Sequence, residues 1–164
     1  LTANLDGEFV VFLIGMRINH WWLVPLWWPV LAFMPVMLSE LEKDPKLGLL
    51  GTERGLGRTI ILVQYWRSLE HLHAYAHAKK SAHVPAWKAW AQKFGLSGAV
   101  GIWHETYLVS AGAYECVYSN MPPTGLGAVS KLVPAAGRKS AAASRAGVRD
   151  EQYPAVAVSE QIET

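Results

Sequence analysis

The sequence predicts an α+β fold, a ferredoxin-like βαββαβ unit whose single antiparallel sheet carries its helices on one face. Three observations point there. Four runs read as strands: 8–19, 58–67 and 99–109 are rich in Val, Ile and aromatic residues, and the glycine-rich 47–57 reads as a short strand and turn. Two stretches with helical spacing, 29–42 and 68–94, fall between the first and second runs and between the third and fourth. The chain has 164 residues, 51% of them apolar and 17% charged, enough to bury one real core. The expected organisation is one domain over 1–126 and a flexible Ala/Gly/Ser-rich tail over 127–164.

Residues 1–8 read as a polar lead-in. Glu8 to Asn19 (EFVVFLIGMRIN) reads as a strand apolar on both faces, delivering Arg17 and Asn19 to its rim. Trp21 to Leu38 then runs 18 residues without a charge, at the lower limit for a membrane span. Its prolines, each of which removes a backbone donor, argue for an irregular entry and an amphipathic helix from about Pro29 to Glu42. Tryptophan prefers membrane interfaces, so a membrane-surface or partner-binding role stays open for 20–38. Asp44-Pro45 ends that helix. LGLLGTERGLG (47–57) reads as a strand and turn, and without a following Lys-Ser/Thr it is no phosphate loop.

In RTIILVQYWR (58–67), alternation sets Gln64 and Trp66 on one face and Tyr65 and Arg67 on the other. Ser68 caps a helix running toward Phe94 with a break at Pro85. His73 and His77 form an i,i+4 pair without a third ligand in the motif, a weak metal signal. Ala99 to Val109 encloses Gly101-Ile102-Trp103-His104-Glu105-Thr106-Tyr107, a strand that turns His104 and Glu105 to opposite faces of an expected sheet interior. Burying either group costs several kcal/mol without a partner, so this strand holds the most informative polar side chains. Ala113 to Asn120 reads as a hairpin partner with Tyr114, Cys116 and Tyr118 on one face.

Net charge is +2 and no basic stripe is interleaved with aromatics, which points away from nucleic acid. Cys116 is the single cysteine, excluding an intrachain disulfide and a Cys-based metal site and making a reducing cytoplasm the default expectation. A sheet with helices on one face leaves its other apolar face to be covered, which a homodimer would do.

Glu8–Asn19, Val63–Trp90, VGIWHETY (100–107) and YECVYSNMPP (114–123) resemble the monooxygenase-like family that includes the small oxygenase of fumagillin biosynthesis. The resemblance covers roughly 8–133 and omits the tail. The first helix departs from it, since LVPLWWPVLAFMP is greasier than the family pattern after the paired tryptophans. What the resemblance implies is a dimeric α+β barrel, near the antibiotic-biosynthesis monooxygenases, with a cavity between sheet and helices. Relatives of that fold use the cavity for cofactor-free oxygenation, haem chemistry or ligand holding, and the fold does not choose among them.

The leading expectation is a small monooxygenase oxidising an apolar or aromatic molecule without a bound cofactor, since no dinucleotide fingerprint is present. His104 or Glu105 would be the base, according to which face lines the cavity. Trp66, Trp87 and Trp90 would wall it, and Arg17, Asn19 and Tyr107 would hold a substrate oxygen. The alternatives are a haem protein with His83 or His104 as axial ligand, and a non-catalytic subunit docking on a larger complex or a membrane surface through 20–38 and 127–164. The protein would then be cytoplasmic, or peripheral to a membrane.

Overall fold

Phe9–Ile18, at the centre of the fold, alternates two sets of apolar side chains, and both find neighbours because the strand is paired on each side. A computed structural model describes residues 1–78, 97–136 and 146. Among them the chain forms β1 (Thr2–Asn4), β2 (Phe9–Ile18), α1 (Val24–Lys43), β3 (Leu49–Gly55), β4 (Thr59–Trp66), α2 (Leu69–His77), β5 (Val100–Val109) and β6 (Lys131–Val133). They belong to two compact units, one of Glu8–Val109 and one of residues 1–7 with the described chain from Ser110 onward.

The larger unit runs β2-α1-β3-β4-α2-β5, and its sheet has the order β3-β4-β2-β5, antiparallel throughout. That is the expected ferredoxin-like arrangement, an α+β fold. Val10, Met16, Ile18, Ile60, Leu62, Gln64, Trp66 and Val100 are buried on the sheet face that meets the helices. Two clusters form there. Val10, Leu41, Trp66, Leu72 and Tyr75 make one, and Met16, Ile18, Ile60 and Val100 the other.

Helix α1 spans both clusters. Trp27, Val30, Leu31 and Met34 lie on the second and Met37 and Leu41 on the first, a stripe of helical period. The helix begins at Val24 rather than near Pro29, and it continues through Pro29 and Pro35. Pro25 occupies the first turn, where a missing N–H costs nothing. The two interior prolines each forfeit a hydrogen bond, about 3 kcal/mol apiece, and the packed stripe offsets that loss. Helix α2 starts where expected, with the Ser68 hydroxyl accepting from the His71 N–H at 3.4 Å. It ends at His77, and the rest of the expected helix to Phe94 lies outside the described residues.

Two expectations need correction in the smaller unit. Residues 2–4 are not part of a polar lead-in but strand β1, paired antiparallel with β6 in register Thr2↔Val133, Ala3↔Leu132 and Asn4↔Lys131. Residues 113–120 form no strand. Their period-two face is nevertheless used, because Tyr114, Cys116 and Tyr118 all engage residues 1–5. The Tyr114 hydroxyl accepts from Leu5 N–H at 2.6 Å and the Cys116 sulfur from Ala3 N–H at 3.3 Å. The Tyr118 backbone exchanges bonds with Leu1, each 2.8 Å. Side chains here do much of what a backbone ladder would have done.

Candidate functional site

Strand β5 lies at the edge of the sheet, bonded only to β2 within it. Its first half is covered, with Val100 buried and Ile102 packed on the second cluster, while His104 through Leu108 are exposed. The expected sheet interior is therefore half wrong. Among the described residues, a strand with the composition of a central one has a neighbour on one side only, and the cover on its faces ends near its middle.

The pairing register settles which way each side chain turns. His104 lies opposite Ile14, between Met16↔Ile102 and Phe12↔Thr106, so it shares the helix-covered face. There it falls between the two apolar clusters, and its ring stands 5.7 Å from that of Phe12 at a tilt of 42°. Glu105 lies opposite Leu13 on the other face, with Trp103 and Tyr107. Its carboxylate accepts from the Tyr107 hydroxyl. That bond and the carboxylate charge hold the Tyr107 hydroxyl above its ordinary range. The two candidate bases are on opposite sides of one strand, and Glu105 is already committed to Tyr107.

The other sequence-predicted residues separate as well. Trp66 is wholly buried on the helix-covered face, where its indole N–H donates to the Gln64 side-chain oxygen at 3.1 Å and its ring meets Tyr75 at 5.9 Å. It is a core residue that backs the face rather than a surface that a ligand touches. Arg17 pairs with Gly101, is exposed, and belongs to the face of Glu105 and Tyr107. The Asn19 side-chain amide donates to the Gly98 carbonyl at 3.0 Å, fastening the approach to β5. Arg17 and Asn19 thus do not join His104. Trp87, Trp90 and His83 lie outside the described residues.

His73 and His77 do not converge on a shared point. The His77 Nδ1 bonds the His73 carbonyl oxygen at 2.8 Å and the two rings meet edge-on at 6.0 Å. Among the described residues no group of three His, Cys, Asp or Glu side chains could hold a metal ion.

Phe12 is the neighbour that sequence reading missed. The apolar run at 8–19 announces a strand but says nothing of its register against 99–109, and register alone puts Phe12 beside His104. The arrangement offers an imidazole at the open margin of an apolar face, beside an aromatic ring. Its chemistry is that of accepting or delivering a proton next to a nonpolar molecule.

The family model described as Monooxygenase af470-like matches residues 9–126. A curated protein of Aspergillus fumigatus, Monooxygenase af470, is 32% identical over 138 residues, which are 74% of this chain and 46% of that protein. The chain thus spans less than half the length of that relative. No solved structure matches this chain. Residues 9–126 take in β2 through β5, the whole ferredoxin-like unit with His104, and the chain belongs to the monooxygenase af470-like family.

Proposed function

We propose that this chain is a small monooxygenase that oxidises an apolar or aromatic molecule, with His104 as the base and with no bound flavin or haem. It works as a homodimer. One observation carries the reading: His104 is an exposed imidazole on the largely apolar helix-covered face, against the ring of Phe12. Membership in a monooxygenase-like family supplies the reaction class. The missing dinucleotide fingerprint supports the cofactor-free form.

An apolar aromatic substrate would lie against Phe12 and Ile14. His104 would take an acidic benzylic C–H proton, and the carbanion would add dioxygen to form a C–O bond. The imidazolium would return its proton to the peroxide. Cleavage of the O–O bond with loss of the second C–H as water would leave a carbonyl, so that the substrate supplies all four electrons. The apolar surface beside His104 favours the step by holding a nonpolar substrate. Glu105, facing the other way and bonded to Tyr107, takes no part.

The test is oxygen uptake with an aromatic ketone bearing an acidic benzylic C–H. A positioned base contributes about a hundred-fold or more, so His104→Ala should lose that much turnover at unchanged folding. Glu105→Gln should turn over like the unsubstituted chain. Full uptake in His104→Ala rules out this base. An absorbance band near ~400 nm that follows activity through purification would replace the cofactor-free reading with haem, for which an axial histidine is a common ligand.

A further inference from the structure

We infer that the end of the Glu8–Val109 unit where α1 begins docks on an anionic phospholipid bilayer, with Trp21, Trp22, Trp28 and Leu56 entering the interface and Arg17 and Arg58 meeting the headgroups. Chain connectivity gathers these residues. Strand β2 ends at Ile18 and passes through 19–23 into α1. The β3–β4 turn returns to the same end, where Ile18 N–H donates to the Arg58 carbonyl at 3.2 Å.

A soluble surface gives no reason for what that end displays. Trp22 is 73% exposed, Trp21 57%, Trp28 56% and Leu56, at the tip of the turn, 83%. Turn tips ordinarily carry Gly, Asn, Asp or Ser, whereas this one carries the most exposed large apolar side chain among the described residues. Tryptophan is the residue that favours the bilayer interface, its ring in the acyl boundary and its N–H among headgroups. The end is also preformed, since the Trp27 indole N–H donates to the Trp21 carbonyl at 3.1 Å and the His20 ring stands 5.2 Å from that of Trp22.

The charge pattern selects the occupant. The stretches that build this end, 15–28, 55–62 and 97–103, contain Arg17 and Arg58 and no Asp or Glu. Apolar side chains from separate elements, flanked by guanidinium groups and free of carboxylates, match an anionic lipid surface. The outer side of α1 extends the patch through Pro25, Pro29, Ala32 and Val36, all exposed. Helix α1 is long and apolar enough by composition to cross a membrane, and only 11% of its most apolar window is buried. Its inner stripe, however, packs on both apolar clusters of the sheet. Spanning would strip that stripe away, whereas surface docking keeps it. The inference does not rest on His104 being catalytic.

Flotation of the full chain with phosphatidylcholine vesicles, with and without phosphatidylserine, tests it. The chain should float with phosphatidylserine-containing vesicles, its tryptophan emission shifting to the blue. Arg17→Gln and Arg58→Gln should each weaken binding about five-fold. Trp21→Ala/Trp22→Ala should weaken it about ten-fold or more. Leu56→Asp, on an exposed turn that bears no core contact, should do the same and keeps the test decisive if the tryptophan variant misfolds. A chain that ignores both vesicle types overturns the inference. So does binding that survives both apolar variants, or a double tryptophan substitution that dissociates an oligomer without vesicles, which would assign this end to a second copy of the chain.

Discussion

Tyr75 carries a phenol into the cluster of Val10, Leu41, Trp66 and Leu72. Burial, and secondarily the Glu40 carboxylate beside it, push that hydroxyl above the ordinary tyrosine range. In the unfolded chain it ionises near pH ~10, while in the fold it keeps its proton well beyond that. The folded state then binds more protons than the unfolded one, so stability is full below about pH 10 and falls as pH rises from there toward the folded value. The urea midpoint of the unsubstituted chain should decline more steeply between about pH 9 and 11 than that of Tyr75→Phe. Equal slopes would place the perturbation elsewhere. His104 has the opposite character, an ionisable ring left at the open margin of an apolar face. A side chain whose polarity neither the core nor the bulk surface requires is where chemistry is to be sought.

At the scale of elements, β5 is held to the sheet by more than its ladder. Gly15 of β2 lies opposite Trp103, and a β-carbon at Gly15 would collide with the indole. The indole therefore occupies the space that a side chain at Gly15 would need, which explains a Gly in the middle of a strand that its neighbours would otherwise favour being Val or Ile. Gly15→Val should destabilise by about 1–3 kcal/mol by displacing the indole. In a Trp103→Ala background the same change should be neutral or stabilising, because the better strand former meets no ring. Additive effects in a urea-melt double-mutant cycle would break this pairing.

The same scale shows what the sequence could yield. Strands 8–19, 58–67 and 99–109 were legible because β-branched runs and alternation are local signals, and the Ser68 cap because its hydroxyl acts three residues away. The start of α1 was hidden because packing outweighs three prolines. β1 was hidden because its partner is about 130 residues distant. Of the site, the residue types of His104 and Glu105 were visible. That Phe12 would be the neighbour, and that Glu105 would be spent on Tyr107, depended on register and could not be read from one strand.

At the scale of the whole molecule, the proposed homodimer would form on the sheet face that the described helices leave uncovered. Register aligns Glu53, Val63, Leu13 and Glu105 in one row, with Ile61 and Trp103 on one side of it and Val11, Tyr65 and Tyr107 on the other. The centre of the face is thus apolar, and carboxylates stand on the two edge strands. That is the anatomy of an interface with a nonpolar core and a polar rim. In the proposed homodimer, a two-fold axis through the centre would set Leu13 and Val63 against their own counterparts. Any charge introduced at Val63 then enters the interface twice, without a partner. Val63→Asp should raise the dimer dissociation constant on the order of a hundred-fold, the effect of losing a central contact, and sedimentation should report a monomer. Glu53→Gln, at the rim, should sediment like the unsubstituted chain. If that chain is itself a monomer at every concentration, this face is not a homodimer interface and His104 must work within a single copy.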